Sequence, residues 1–178
     1  MTPSTSLLEY LSGHADEWGL VVKHAEDEIA AVNMCVGAAH AGVRALTATS
    51  GGGFDLMVEG ISLAAITENP LVIFLAQRPG PATGLATRTA QADLLMAIHS
   101  SHGEFARMVI APHTPEEHFS AACRALNMAE KYQCLVIVLS DQQSASSFMS
   151  RDKDLFDPAS LVIERGKWLT SEDLDAMA

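Results

Sequence analysis

The order of apolar runs and helical patterns along this chain predicts an α/β fold built on a doubly wound, mostly parallel sheet. The clearest strand is the fully apolar run over residues 71–76, and a second apolar run over 134–140 follows a long helical pattern. Strands that alternate with helices at this spacing form parallel sheets, because each helix returns the chain to the same end of the sheet. We therefore expect one sheet flanked by helices.

Each element has its own signal in the sequence. Apolar residues at helical spacing predict helices over residues 6–18, 26–41, 53–67, 90–99 and 115–132. Apolar runs bounded by polar residues, glycine or proline predict strands over residues 20–22, 45–49, 71–76, 108–111 and 134–140. Gly42 is placed to end the second helix, because glycine readily adopts the conformation that follows many helices.

Length and composition limit the classes of protein to consider. With 178 residues, 48% of them hydrophobic, the chain can form one domain with a buried core. We place that domain at residues 1–150, and the charged, irregular stretch over 151–178 is typical of a linker or C-terminal tail. The net charge of −11 argues against nucleic acid and anionic membranes as partners. The sequence shows no membrane-spanning run and no signal-peptide pattern, so we expect a cytoplasmic protein.

The metal-ligating residue types do not form a recognisable metal site. The three cysteines, Cys35, Cys123 and Cys134, include no C-x-x-C pair, so neither a zinc site nor an iron–sulfur cluster is expected in this chain. His99 and His102 have the spacing of a helical metal site, but Gly103 is expected to end the helix there. We predict no metal site.

An arginine and a rigid loop follow the strongest predicted strand. The segment is Q-R-P-G-P-A-T-G-L, residues 77–85. In open α/β sheets, ligands bind beyond the carboxyl ends of the strands. A buried arginine needs a partner, and its planar guanidinium suits a carboxylate, so Arg78 predicts an anion site. The alternative is a structural ion pair at the strand end.

Two further segments are candidates for lining a site. The turn T-S-G-G-G-F over residues 49–54 exposes backbone N–H groups, so it is either an anion-binding turn or a tight turn beside a cleft. It matches neither the dinucleotide-binding nor the P-loop pattern. Glu26, Asp27 and Glu28 open the second helix, where carboxylates favour the helix dipole. The small residues behind them allow close packing by another element or subunit.

Six segments in order resemble a known family. The sequence is similar to the alpha subunits of 2-oxoacid:ferredoxin oxidoreductases, and most to those of the 2-oxoglutarate type, in the domain that holds the aminopyrimidine of thiamine diphosphate. The resemblance covers residues 2–169. Its segments are E-D-E-I-A-A-V-N (26–33), A-L-T-A-T-S-G-G-G-F-D-L-M-V-E-G (45–60), T-E-N-P-L-V-I (67–73), Q-R-P-G-P-A-T-G-L (77–85), A-I-H-S-S-H-G-E-F (97–105) and A-E-K-Y-Q with L-S-D-Q (129–133 and 139–142).

The resemblance implies a thiamine diphosphate-binding fold of the pyrimidine type that lacks the family's first strand. It assigns catalysis to Glu28, which would hydrogen-bond N1′ of the aminopyrimidine and so activate the cofactor. Arg78 and Thr2 would bind the substrate carboxylate. Ser50 and Gly51 would line the cofactor cleft rather than hold the diphosphate.

The resemblance also implies a reaction and partners. The reaction is oxidative decarboxylation of a 2-oxoacid, such as 2-oxoglutarate, to acyl-coenzyme A and CO₂, with electrons passed to ferredoxin. A beta subunit would supply the diphosphate and Mg²⁺ contacts, and iron–sulfur clusters would lie in partner subunits. We expect a homo- or hetero-oligomer in which this chain alone is inactive. The identity of the 2-oxoacid stays open, with branched-chain and aryl oxoacids as alternatives.

Three other interpretations compete with this one. The chain is alternatively a truncated, non-catalytic relative that acts as a binding or assembly module. A generic nucleotide-binding domain lacks its glycine pattern here. A sulfopyruvate decarboxylase-like half would share the fold, but the loop over residues 77–85 argues against it.

Overall fold

A parallel sheet with helices on both faces forms the centre of the protein, as the sequence predicts. The computed structural model describes residues 2–178, and its four strands lie in the order β1-β2-β4-β3. The strands are β1 (Leu46–Thr49), β2 (Leu71–Gln77), β3 (Arg107–Ile110) and β4 (Leu135–Asp141). The helices are α1 (Thr5–Gly13), α2 (Ala15–Trp18), α3 (Glu28–His40), α4 (Gly51–Ile66), α5 (Leu94–His99), α6 (Pro115–Tyr132), α7 (Gln142–Ser146) and α8 (Ser171–Met177), with 3₁₀ turns at Lys153–Phe156 and Pro158–Ser160.

The central position of β2 and β4 in the sheet explains why their sequences are apolar almost throughout. β2 and β4 pair in parallel over their full length, from Leu71 opposite Leu135 to Gln77 opposite Asp141. Both faces of these strands are covered, because the odd-numbered residues pack on one side of the sheet and the even-numbered residues on the other. One side packs with Val32, Phe54, Met57 and Ile61 of α3 and α4, and the other with Ala121, Ala125 and Ala129 of α6.

The packing of α3 on α4 depends on a glycine. A Cβ on Gly60 would lie 2.5 Å from Cγ1 of Val32, so only glycine allows the helices to approach this closely. Phe54, Met57 and Ile61 are fully buried in the resulting core. Burial of each such side chain stabilises the fold by about 1.5–3 kcal/mol. This packing fixes the start of α3 against the start of α4, where the candidate site lies.

Several element boundaries confirm the sequence analysis. The helix over residues 115–132 has the predicted bounds, with Thr114 as its N-cap and Pro115 in its first turn. Gly42 follows α3 with a φ of +81°, the left-handed conformation expected of a glycine that ends a helix. The helix predicted over 6–18 is instead two helices, which meet at His14.

Two predicted elements are wrong in type or extent. Residues 20–22 form no strand: Val21 is 85% exposed, and the N–H of Leu20 donates to the carbonyl of Ala15, which extends the preceding helical turn. A run of three apolar residues is too short to distinguish a strand from a surface segment. The helix predicted from residue 90 begins only at Leu94, because the residues before it are tied to strand ends.

Part of the chain after residue 150 packs against α6. The carboxylate of Glu130 accepts hydrogen bonds from Arg44 (2.6 Å) and Arg165 (2.9 Å), and Asn127 donates to the carbonyl of Val162 (2.6 Å). These bonds join the residues just before β1, the C-terminal part of α6 and the segment 162–166.

No helix among residues 2–178 combines the length and the apolar character needed to cross a membrane.

Candidate functional site

Three of the predicted site residues follow neighbouring strands: Ser50 and Gly51 follow β1, and Arg78 follows β2. Asp141, which was not predicted as a site residue, ends β4 beside β2. The parallel direction of the strands brings these positions to one edge of the sheet. The edge is therefore the place where a ligand is expected.

Arg78 has the environment of an anion-binding residue. Its side chain lies in the core, because the residue is only 6% exposed. Nη1 donates to the carbonyl oxygen of Thr2 (2.6 Å), and Nε is buried with no hydrogen-bond partner among residues 2–178. A buried donor without a partner costs free energy, so Nε of Arg78 is free to donate to a group that residues 2–178 do not supply.

A small cavity lies beside Arg78. Its volume is about 140 Å³, and the start of α4, the loop Pro79–Ala82, Asp93 and Met96 line it together with Arg78. The loop is closed by Gly84, which has a φ of +54° and whose missing side chain leaves space for the carbonyl of Pro79. A larger groove of about 580 Å³ lies elsewhere, between β3 and α6, and contains none of the predicted site residues.

The three carboxylates before α3 have different environments. Asp27 is the N-cap of α3, since its Oδ1 accepts from the N–H of Ala30 (2.7 Å). Glu26 is exposed, whereas Glu28 is half-buried and lies against the start of α4. A Cβ on Gly53 would lie 2.7 Å from Oε1 of Glu28 and would overlap Oγ1 of Thr49. Among the three, Glu28 alone is directed into the interior at the sheet edge.

The three consecutive glycines at the start of α4 each accommodate a different neighbour. A Cβ on Gly51 would meet the Asp93 carboxylate at 2.7 Å, and one on Gly52 would lie 3.2 Å from the carbonyl of Ala82. Gly53 accommodates Glu28 in the same way. The preceding residue, Ser50, is fully buried in extended backbone, and its hydroxyl does not cap the helix.

The structure brings together most, but not all, of the predicted residues. Arg78 contacts the backbone of Thr2 and shares its cavity with Gly51. Ser50 precedes Gly51 directly. Glu28 does not line that cavity; it lies beside Gly53, on another side of the first turn of α4.

Sequence reasoning missed the segment before α5. The N–H of Asp93 donates to Oε1 of Gln77 (3.0 Å), and Nε2 of Gln91 donates to Oδ2 of Asp141 (2.5 Å). Burial, and then the nearby Asp55 carboxylate, raise the pKa of Asp93. No local pattern marks Gln91 or Asp93, because their partners are distant in sequence.

Asp141 is held in its charged form at the same edge. Burial alone would raise its pKa, but hydrogen bonds from the N–H of Ser144 and from Gln91 outweigh burial and lower it. Its Oδ1 accepts from the N–H of Ser144 (2.7 Å), so Asp141 caps α7. We assign it a structural role.

The histidines near the end of α5 do not form a cluster. His99 is the last residue of α5, and His102 and Glu104 lie exposed beyond it. Within residues 2–178, no three His, Cys, Asp or Glu side chains lie close enough together to hold a metal ion.

The fold and the site together define a class: a parallel α/β domain with a buried arginine at the carboxyl edge of the sheet and a half-buried glutamate at a helix start. Comparison of sequences is more specific. The chain belongs to the family described as pyruvate flavodoxin/ferredoxin oxidoreductase, thiamine diphosphate-binding, whose model matches residues 1–159.

Curated relatives agree with this membership. The alpha subunit of 2-oxoacid:ferredoxin oxidoreductase 1 from Sulfurisphaera tokodaii is 44% identical over an alignment of 186 residues, gaps included. The alignment covers 98% of this chain and 30% of that protein. The 2-oxoglutarate synthase subunit KorA from Methanothermobacter marburgensis is 42% identical over 142 residues, which cover 80% of this chain and 38% of that protein. The chain thus spans about a third of the length of these relatives.

A solved structure has the same fold. The 2-oxoglutarate:ferredoxin oxidoreductase from Magnetococcus marinus, with 2-oxoglutarate, coenzyme A and succinyl-CoA bound, matches 97% of this chain and 30% of its own, with a TM-score of 0.88 and 37% identity. The predicted fold class and family are therefore confirmed.

Proposed function

We propose that this chain is the pyrimidine-binding part of a 2-oxoacid:ferredoxin oxidoreductase, which converts a 2-oxoacid to acyl-coenzyme A and CO₂. The observation that carries the proposal is the buried Arg78, with an unpartnered Nε at the carboxyl end of β2. Family membership and the relatives' names support the reaction. A 2-oxoglutarate-like substrate is favoured because KorA and the solved relative are named for that acid.

Glu28 is the proposed catalytic residue. Thiamine diphosphate, when bound, supplies the electron sink that decarboxylation of a 2-oxoacid requires. The residues fit its aminopyrimidine, because Gly53 makes room for a Glu28 carboxylate that is half-buried and makes no capping bond. Glu28 would hydrogen-bond N1′ of that ring and exchange a proton with it.

Arg78 and Thr2 are the proposed substrate-binding residues. The guanidinium would bind the substrate carboxylate through donors that include Nε, while its bond to the Thr2 carbonyl fixes its orientation. Thr2 itself would contact the same carboxylate through its hydroxyl. Ser50 and Gly51 would line the cofactor cleft, where the small side chains permit close approach.

The remaining contacts require other polypeptides. We propose that a beta subunit supplies the Mg²⁺ and diphosphate contacts, that iron–sulfur clusters lie in partner subunits, and that ferredoxin accepts the electrons. Ile29 and Met34, which are about half exposed on α3, support burial of this helix in an oligomer. A cytoplasmic location fits such partners.

The domain boundary also remains a proposal. We place the pyrimidine-type domain at residues 1–150 and a linker or tail at 151–178. The contacts of Val162 and Arg165 with α6 support a linker that is docked on the domain for part of its length.

The experiment that tests the proposal is reconstitution. The chain, or the alpha subunit that contains it, is co-expressed with a beta subunit, and reduction of a viologen dye is measured with 2-oxoglutarate, coenzyme A and thiamine diphosphate. Turnover that is lost in Arg78→Gln supports the proposal. Assembly without turnover for any 2-oxoacid favours the alternative, a non-catalytic binding or assembly module.

A further inference from the structure

Asp93 does not make the bonds expected of an acid at its position. It is the N-cap of α5, where an aspartate usually accepts from the helix N–H groups, yet its side chain makes no capping bond. Its Oδ2 is buried and has no hydrogen-bond partner among residues 2–178. Gly51 provides the space for this carboxyl, since a Cβ there would lie 2.7 Å from Oδ2. A buried carboxyl oxygen without a partner is costly, so a ligand is the expected partner.

The position of Asp93 is fixed by the sheet rather than by the loop. Its own N–H is bonded to Gln77 at the end of β2, and Gln91, two residues earlier, is bonded to Asp141 at the end of β4. Two strand ends therefore hold the segment in place. This is the arrangement expected of a residue that must present a group to a ligand accurately.

Asp93 and Arg78 line the same cavity, and each has an unpartnered polar atom. Asp55 of α4 is the other charged residue that lines it, whereas Met96 of α5 and the loop Pro79–Ala82 bring no charge. An ionised Asp93 would repel a carboxylate bound to Arg78. A protonated Asp93 would instead donate to it, and burial together with Asp55 raises the pKa of Asp93 in that direction.

We propose that Asp93, in its protonated form, is a second donor to the 2-oxoacid carboxylate that Arg78 binds. Oδ2–H donates to one carboxylate oxygen while Arg78 Nε donates to the carboxylate from its own side. Binding takes up one proton from solvent at Asp93, and no covalent bond is made or broken. The identity of the ligand rests on the proposed function, but the proton linkage does not depend on turnover.

The test is the pH dependence of ligand binding by the purified chain. Dissociation constants for 2-oxoglutarate and for pyruvate are measured by NMR titration between about pH 5 and about pH 9. We expect wild-type binding to weaken about tenfold per pH unit above the pKa of Asp93. In Asp93→Asn the side-chain amide donates at every pH, so binding should change little across the range. In Asp55→Asn the loss should begin at lower pH, because one cause of the raised pKa is gone.

Two results would overturn the inference. One is a pH profile of Asp93→Asn that coincides with that of the wild type, and the other is absence of binding to the wild-type chain at any pH. Arg78→Gln separates this inference from the proposed function. If it loses binding at every pH while Asp93→Asn keeps the wild-type profile, Arg78 binds the carboxylate and Asp93 does not. Dye reduction by the reconstituted complex tests the reaction independently of either variant.

Discussion

Glu28 and Gly53 lie so close that a methyl group on Gly53 would be 2.7 Å from the Glu28 carboxylate. The contact joins the start of α3 to the first turn of α4, the two helices that pack together on one face of the sheet. Glycine is unfavourable inside a helix, by about 1 kcal/mol relative to alanine. Its presence here provides the space that the carboxylate occupies.

Gly53→Ala should displace Glu28 and impair both folding and function. The new Cβ would overlap Thr49 and crowd the carboxylate, so we expect a loss of about 1–3 kcal/mol in the free energy of unfolding. Dye reduction by the reconstituted complex should fall strongly. Urea unfolding of the purified chain measures the first effect.

Gly37→Ala is the matched control for that substitution. A Cβ on Gly37 meets nothing within 4 Å, and the residue is exposed on α3. For the purified chain we expect a gain in stability of about 0.5–1 kcal/mol. If Gly53→Ala were as stable and as active as Gly37→Ala, Gly53 would have no role in positioning Glu28.

Glu130→Gln should destabilise the protein near neutral pH and have less effect in acid. Burial would raise the pKa of Glu130, but bonds from Arg165 and Arg44 outweigh it and lower the pKa. The pKa of Glu130 is lower in the folded state than in the unfolded state. The stabilisation by its ion pairs is therefore fully present above the unfolded-state pKa and is lost as the pH falls through the folded-state pKa. We expect a loss of about 1–3 kcal/mol at neutral pH.

Urea unfolding at about pH 7 and at about pH 3 measures this difference. Glu59→Gln is the control, since Glu59 is exposed. A deficit in Glu130→Gln that stayed constant across that range would contradict the assignment of its effect to the ion pairs with Arg44 and Arg165.

One of the three thiols should react much faster than the others in the native protein. Burial raises the pKa of Cys35 to about 11 and also raises the pKa of Cys134. At pH 8 only about one Cys35 in a thousand would be a thiolate, whereas Cys123 is partly exposed on α6. Mass spectrometry after brief treatment with iodoacetamide should find the label at Cys123. Rapid labelling of Cys35 would mean that the interface between α3 and the sheet opens readily.

The chain alone should bind thiamine diphosphate weakly and catalyse no turnover. The resemblance to the family implies that the cofactor site is shared with a second domain, which would supply the Mg²⁺ and diphosphate contacts. Calorimetric titration with and without Mg²⁺ tests this. Tight, Mg²⁺-dependent binding by the purified chain would mean that the site is complete here.

The sequence predicted the elements whose signals are local. α6 was predicted to the residue from apolar residues at helical spacing, and the structure shows that Thr114 caps this helix and Pro115 stands in its first turn. β2 and β4 were predicted from short apolar runs, which are typical of parallel strands that are covered on both faces. The strand predicted over residues 20–22 was wrong because an apolar run of three residues is too short to indicate whether it is buried or exposed.

Candidate site residues could be predicted where a polar side chain directly follows an apolar strand, but not where a contact joins residues far apart in the sequence. Arg78 was marked by its position after an apolar run. Among three adjacent carboxylates, the local pattern alone did not separate Asp27 from Glu28; the family resemblance pointed to Glu28, and the folded contacts show Asp27 as the cap and Glu28 against Gly53. The bond from Gln91 to Asp141 spans 50 residues and that from Arg44 to Glu130 spans 86, so no local pattern predicts them.

The most direct test of the central claim is the activity of Glu28→Gln in the reconstituted complex. The substitution preserves the shape of the side chain and removes the group that exchanges a proton with the cofactor. We expect dye reduction with 2-oxoglutarate to fall at least about a hundredfold, while size-exclusion chromatography shows normal assembly. Glu26→Gln, an exposed neighbour, should keep full activity. Near-normal turnover by Glu28→Gln would show that Glu28 is not the catalytic carboxylate.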